Sequence, residues 1–167
     1  GASKFTGTGL SSWGTASVTT LKRAFYNAKE MNADLAGWKV GKVVTLDSTF
    51  YGASKFTGTS LASWDTASVT TLERTFYGAS KFTGTGLSSW DTASATTLED
   101  TFHSAGKMNS DLSGWKVGKV TTLQNTFYGA SKFAGVGLAS WGTASVTSLS
   151  GTFYNARVMN SDLNKWK

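Results

Sequence analysis

The chain contains no cysteine, no proline and a single histidine, and no long apolar run interrupts it. Without cysteine there are no disulfides, no thiolate metal ligands and no cysteine nucleophile, although a chain with a large core needs no such staples in any compartment. The absence of proline beside 19 glycines argues against a stiff proline-type linker. No stretch approaches the ~18 apolar residues that read as a membrane-spanning helix. The opening GASKFTGTGL has neither the charged start nor the apolar segment of a secretory signal. A soluble chain is therefore expected, and its missing initiator Met points to a processed fragment. Charge is scarce too: Lys and Arg number 16 against 10 Asp and Glu, a net +6 that favours acidic partners only mildly.

What is present is periodic. The 167 residues are 40% apolar and 13% aromatic, enough for a packed core. All seven Trp, at 13, 38, 64, 90, 115, 141 and 166, are separated by 25 or 26 residues. Leu10, Leu35, Leu61, Leu87, Leu112, Leu138 and Leu163 each precede a Trp by three. Leu21, Leu46, Leu72, Leu98, Leu123 and Leu149 each lie four residues before a Phe, and a third column reads Phe5, Met31, Phe56, Phe82, Met108, Phe133 and Met159. One such repeat buries too little apolar surface to offset its own ordering, so stability must be shared between neighbours.

Within a repeat, Val69, Leu72, Phe76 and Ala79 fall at i, i+3, i+7 and i+10, which predicts a short helix. Thr70 with Glu73, Thr96 with Glu99 and Thr121 with Gln124 fit its capping box. The column Asn27, Gly52, Gly78, Ser104, Gly129 and Asn155 fits a left-handed stop. A short or bulged strand is expected around Leu61 to Trp64. Long repeats read FTGTSLASWDTAS from Phe56, and short ones read MNADLAGWKVGKV from Met31. The long type carries one extra residue, in Thr-Gly-Thr, for a loop or bulge to absorb.

The run Val69 to Phe82, VTTLERTFYGASKF, followed by a segment ending in Trp90, resembles the BspA-like leucine-rich repeats, the surface-protein repeats of about 25 residues first noted in mycoplasmas. Met31-Asn32-x-Asp34-Leu35-x-x-Trp38 and Met108-Asn109-x-Asp111-Leu112-x-x-Trp115 resemble that family's strand segment most closely. The Thr-Gly-Thr insertion, and Leu where members often have Met, depart from it. The resemblance implies an α/β repeat solenoid, a leucine-rich-repeat-like right-handed coil with one short parallel strand and one short helix per repeat of 25–26 residues. Residues 1–167 then form a single solenoid segment of about 6.5 repeats from a longer array. The resemblance further implies exposure at a cell surface, adhesion or matrix binding, and no catalytic residues.

Candidate chemistry is sparse, and no catalytic, metal or cofactor-binding residue is assigned. His103, with Glu99 and Asp100 behind it, occupies the column otherwise held by Tyr26, Tyr51, Tyr77, Tyr128 and Tyr154, which reads as surface variation. The TGTG stretches lack the Gly-Lys-Ser/Thr of a phosphate loop and read as turns. The Trp column reads as a buried stack. Thr-x-Thr pairs at 6/8, 57/59 and 83/85 give way to Ala134 and Val136, too broken for an ice-binding array. Two columns remain as candidate ligand surfaces. Lys55, Lys81, Lys107 and Lys132 recur at one position in four consecutive repeats, a ladder suited to a linear polyanion. Tyr51, Tyr77 and Tyr128 stand beside a core Phe with hydroxyls expected in water. The functional expectation is a non-enzymatic extracellular or cell-surface module that binds an acidic glycan or a surface or matrix protein. The alternative is a structural spacer or filament subunit, self-associating end to end. Nucleic acid is not the expected partner, since the charge is mild and no docking motif appears.

Overall fold

The computed structural model describes residues 2–167. Among them there is no α-helix and no β-strand; the regular elements are four 3-10 helices, Leu10–Ser12, Leu61–Ser63, Leu87–Ser89 and Leu138–Ser140. The expected leucine-rich-repeat-like α/β solenoid is overturned, since neither half of its strand-helix unit forms. Where a strand was expected, at Leu61–Ser63, the chain makes a 3-10 turn. These turns occur only in the long repeats, downstream of the extra residue.

The segment expected to be helical shows why it is not. In Leu46–Ala53 the N–H groups of Thr49, Tyr51 and Ala53 donate to carbonyls three residues back, on Leu46, Ser48 and Phe50. The alternate N–H groups leave the repeat. Leu46, Ser48, Phe50 and Gly52 donate to Thr71, Glu73, Thr75 and Tyr77 of the next repeat at 2.7–3.2 Å. A helix would hold every donor beyond its first turn, Phe50 and Gly52 included, internally. Here left-handed residues interrupt it: Ser48 at φ 54° and Gly52 at φ 65°, with Arg74, Asp100 and Asn125 in the Ser48 column. The column expected to stop a helix is indeed left-handed, but it closes one in a series of turns.

Each repeat thus forms one layer, hydrogen-bonded to the layers on either side. On the flank, single-residue parallel bridges link Thr20, Thr45, Thr71, Thr97, Thr122 and Ser148 in succession, with no pairing long enough to make a strand. The expected capping boxes are replaced by other bonds. Thr70 donates its hydroxyl to the Val44 carbonyl of the preceding layer at 3.0 Å, and Thr71 accepts the Glu73 N–H at 3.2 Å.

The core is a set of files running through the layers. Trp38 to Trp141 are buried, and each of these indole N–H groups donates to a Leu carbonyl of the preceding layer, as Trp90 does to Leu61 at 3.1 Å. Phe50, Phe76, Phe102 and Phe127 are fully enclosed, and Phe56, Phe82, Met31 and Met108 fill the neighbouring file. Beside the Phe file runs a buried polar one. The hydroxyls of Thr49, Thr75, Thr101, Thr126 and Thr152 are each shared between a Leu carbonyl of their own layer and one of the layer before, at 2.7–3.0 Å. Thr75→Val, nearly the same shape, deletes that bridge and should cost about 1–2 kcal/mol in a denaturation experiment; an unchanged midpoint would show that the buried hydroxyls do not help hold the layers.

Like columns in successive layers measure the local separation of the layers. Ring centroids are 4.2–4.7 Å apart in the Tyr/His file and 5.5–5.8 Å apart in the Phe25-to-Phe153 file. They are 6.0–6.4 Å apart for Trp pairs such as Trp38–Trp64 and Trp64–Trp90. The layers therefore converge toward the Tyr side, and the stack bends with the Tyr file on its inner face. Short bonds mark the same compression: the N–H groups of Gly52, Gly78, Ser104 and Gly129 reach the next layer's carbonyls at 2.7 Å.

Candidate functional site

The lysine ladder is built by a repeated small turn. After the Tyr column, Phe82 N–H closes onto Ala79 and Ser80 N–H onto Gly78, leaving Lys81 outward just before buried Phe82. Cross-layer bonds hold this position in register: Lys55 N–H donates to the Lys29 carbonyl at 3.1 Å, and the Ser54, Ser80 and Ser131 hydroxyls donate to Lys29, Ser54 and Gly106 at 3.3 Å. Two residues beyond each lysine stands a second outward column. There Thr57 donates both N–H and hydroxyl to Asn32 at 3.0 Å, and Ala134 N–H donates to the Asn109 side chain at 3.1 Å. The result is a basic strip beside a column of Thr57, Thr83, Asn109 and Ala134.

Lys55, Lys81, Lys107 and Lys132 are all exposed. They are not equivalent. Lys55 pairs with Glu30 of the preceding layer at 2.6 Å, while Lys81, Lys107 and Lys132 make no ion pair among the described residues. Glu30, at the same position one layer before Lys55, is the sequence signal for that neutralisation.

The tyrosines form the other column. Tyr26, Tyr51, Tyr77, His103, Tyr128 and Tyr154 stack face to face without a gap, each pair within 22° of parallel. Tyr51 and Tyr77 touch, whereas His103 separates Tyr77 from Tyr128. Because each interior ring covers its neighbours' faces, solvent meets only the ring edges. The file therefore offers hydroxyls and no open platform for stacking a sugar or base. Burial, together with the Tyr77 and Tyr26 phenols on either side, pushes the Tyr51 hydroxyl above its ordinary range. No hydrogen bond, ion pair or ring contact joins the lysine and tyrosine columns among the described residues.

Burial between two aromatic rings holds the His103 imidazole below its ordinary value of 6.5, against the pull of Asp100. As pH falls through 6.5 the unfolded chain takes up a proton that the folded one resists, so stability declines across that window. Titrating the thermal midpoint from about pH 7.5 to about pH 5.5 should show this decline, and His103→Tyr should flatten it. Asp47 acts in a lower window. Burial opposes its ionisation, but Lys22 and Ser48 outweigh it and hold the carboxyl below 3.8, so its contribution is lost only at more acid pH.

The sequence reading did not single out the charge cluster on the inner face. Arg74 reaches Glu73 at 3.0 Å, Glu99 at 3.6 Å and buried Asp100 at 3.1 Å, tying two layers together. The i, i+26 spacing of Arg74 and Asp100, one repeat apart in one column, was the available clue. A shallow depression beside Trp38, Lys39, Lys42 and Asp65 lies apart from both candidate columns. No group of three His, Asp or Glu among the described residues could hold a metal ion.

No curated protein and no solved structure matches the chain. One family does, over residues 1–61 and again over 56–166. It is not the BspA-like leucine-rich repeat family that the Val69–Phe82 run resembles, and the layers, which hold no strand and no α-helix among the described residues, lack the alternation that family requires. Spanning nearly the whole sequence in two overlapping matches, the assignment is direct: the chain belongs to the family described as Mycoplasma protein of unknown function, DUF285.

Proposed function

We propose that the chain is a non-enzymatic binding module of a cell surface or extracellular matrix that holds a linear acidic glycan along its lysine strip. The observation that supports this reading is the run Lys81, Lys107 and Lys132, outward at one position on three successive layers with no carboxylate paired to them among the described residues. Successive layers, 6.3 Å apart at the Phe56 and Phe82 rings beside the lysines, repeat the charge along a line, which fits a polymer carrying anionic groups at regular intervals. The interior rings of the tyrosine column show only edges and contribute hydroxyls at most.

Retention on a sulfated polysaccharide should weaken as salt rises, because exposed charges are screened over about 10 Å at 0.1 M. Exposed ion pairs contribute up to about 1 kcal/mol each, so Lys81, Lys107 and Lys132 changed together to Gln should lower affinity by up to roughly a hundredfold. Lys55→Gln alone should have little effect, since Glu30 already neutralises it. Equal retention of all variants removes the lysine strip from consideration. A second reading is a spacer or filament subunit, in keeping with layers that hydrogen-bond face to face through the stack. No retention at any salt, with concentration-dependent sedimentation, would select it.

A further inference from the structure

We propose that the tyrosine file is an oxidative cross-linking site, at which hydrogen peroxide acting through a heme peroxidase joins tyrosines of adjacent layers. The rings of Tyr26 and Tyr51 lie 4.6 Å apart at 11°, those of Tyr51 and Tyr77 4.5 Å apart at 8°, and those of Tyr128 and Tyr154 4.7 Å apart at 22°. Occupying equivalent positions in successive layers, each pair sets the ring carbons beside one hydroxyl against their counterparts on the next ring. The edges that carry those hydroxyls reach solvent, and Tyr154 is 57% exposed. Trp38 to Trp141, enclosed in the core, are shielded from the same oxidant.

Each phenol gives up one electron and one proton, leaving a radical with spin on the carbons ortho to the oxygen. Two such radicals on facing rings couple through those carbons into a single C–C bond. The hydrogen on each coupled carbon then shifts to its oxygen, restoring both aromatic rings. Per link the protein loses two hydrogen atoms, and one molecule of hydrogen peroxide takes up two electrons and two protons to become two of water. His103 cannot couple in this way, so it divides the file into Tyr26–Tyr51–Tyr77 and Tyr128–Tyr154. Each link staples neighbouring layers and restricts the unfolded chain, which raises the thermal midpoint.

The test treats the dilute folded protein with hydrogen peroxide and a heme peroxidase, then maps links in the monomer by mass spectrometry. The expected monomer is lighter by two hydrogens per link, with links at the three facing pairs and none between Tyr77 and Tyr128. Tyr51→Phe should leave Tyr128–Tyr154 alone, and treatment in guanidinium should abolish the pattern. Chain-to-chain linkage without any mass loss in the monomer would overturn the proposal. So would links at non-adjacent tyrosines as often as adjacent ones, or an unchanged pattern in the denatured chain.

Discussion

Trp90→Ala will lower the unfolding free energy by about 4 kcal/mol, whereas Trp13→Ala, in the same column, will cost less than about 1 kcal/mol. Trp90 is 2% exposed, faces Trp64 at 6.1 Å and lies against Phe76 at 5.9 Å. Truncating it empties a space that layers hydrogen-bonded on both sides cannot collapse to fill. The Leu61 carbonyl that accepts its indole N–H keeps a second donor in the Trp64 backbone, so the loss is one of packing. Trp13 stacks only on Trp38, at 6.2 Å, and is 60% exposed. Urea unfolding of both variants decides the matter. Similar costs would mean that the Trp file is not what makes interior layers depend on their neighbours.

Gly58→Ala will cost about 2–5 kcal/mol, the sum of two separable effects. Gly58 sits at φ 79°, a left-handed backbone that costs an L-residue about 1–2 kcal/mol. Its new Cβ would also collide with the ring of Phe82, which is wholly buried and has no room to retreat. Overpacking of that kind costs about 1–3 kcal/mol more. Gly9→Ala isolates the first effect, because Gly9 has φ 86° and open space around its Cβ. Gly118→Ala, open and not left-handed, should be nearly silent. Thermal melts of the three variants should therefore rank Gly118→Ala, Gly9→Ala and Gly58→Ala in order of falling stability. Equal losses for Gly9→Ala and Gly58→Ala would show that Phe82 yields.

The inward columns were legible in the sequence because they follow from composition and period alone. Val69, Leu72, Phe76 and Ala79 all point into the core. Their spacing suggested a helix because a series of turns, one reversal about every four residues, returns to the core with nearly the helical period. Apolar spacing cannot separate the two. What separates them is Arg74, two residues after Leu72, in a left-handed conformation that few residues adopt willingly. Its column also holds Asn125 and Gly151, residues that tolerate that geometry, and those two were the hint. The Thr75 file was equally visible, as a Thr before Phe in five repeats, but a hydroxyl's partners two layers deep cannot be read from local spacing. Of the candidate site, the sequence showed which residues share a column. It did not show that Glu30 neutralises Lys55, or that the tyrosines hide their faces in one another.

Because every layer grips only the two beside it, the ladder of bonds from Leu46, Ser48, Phe50 and Gly52 to the next layer is also a mechanical joint. Tension applied along the stack falls on one such joint at a time, and parting it frees a repeat of about 25 residues, roughly 85 Å of chain at ~3.3–3.6 Å per residue. Pulled from its two ends, such a stack would lengthen in even steps, absorbing work at each.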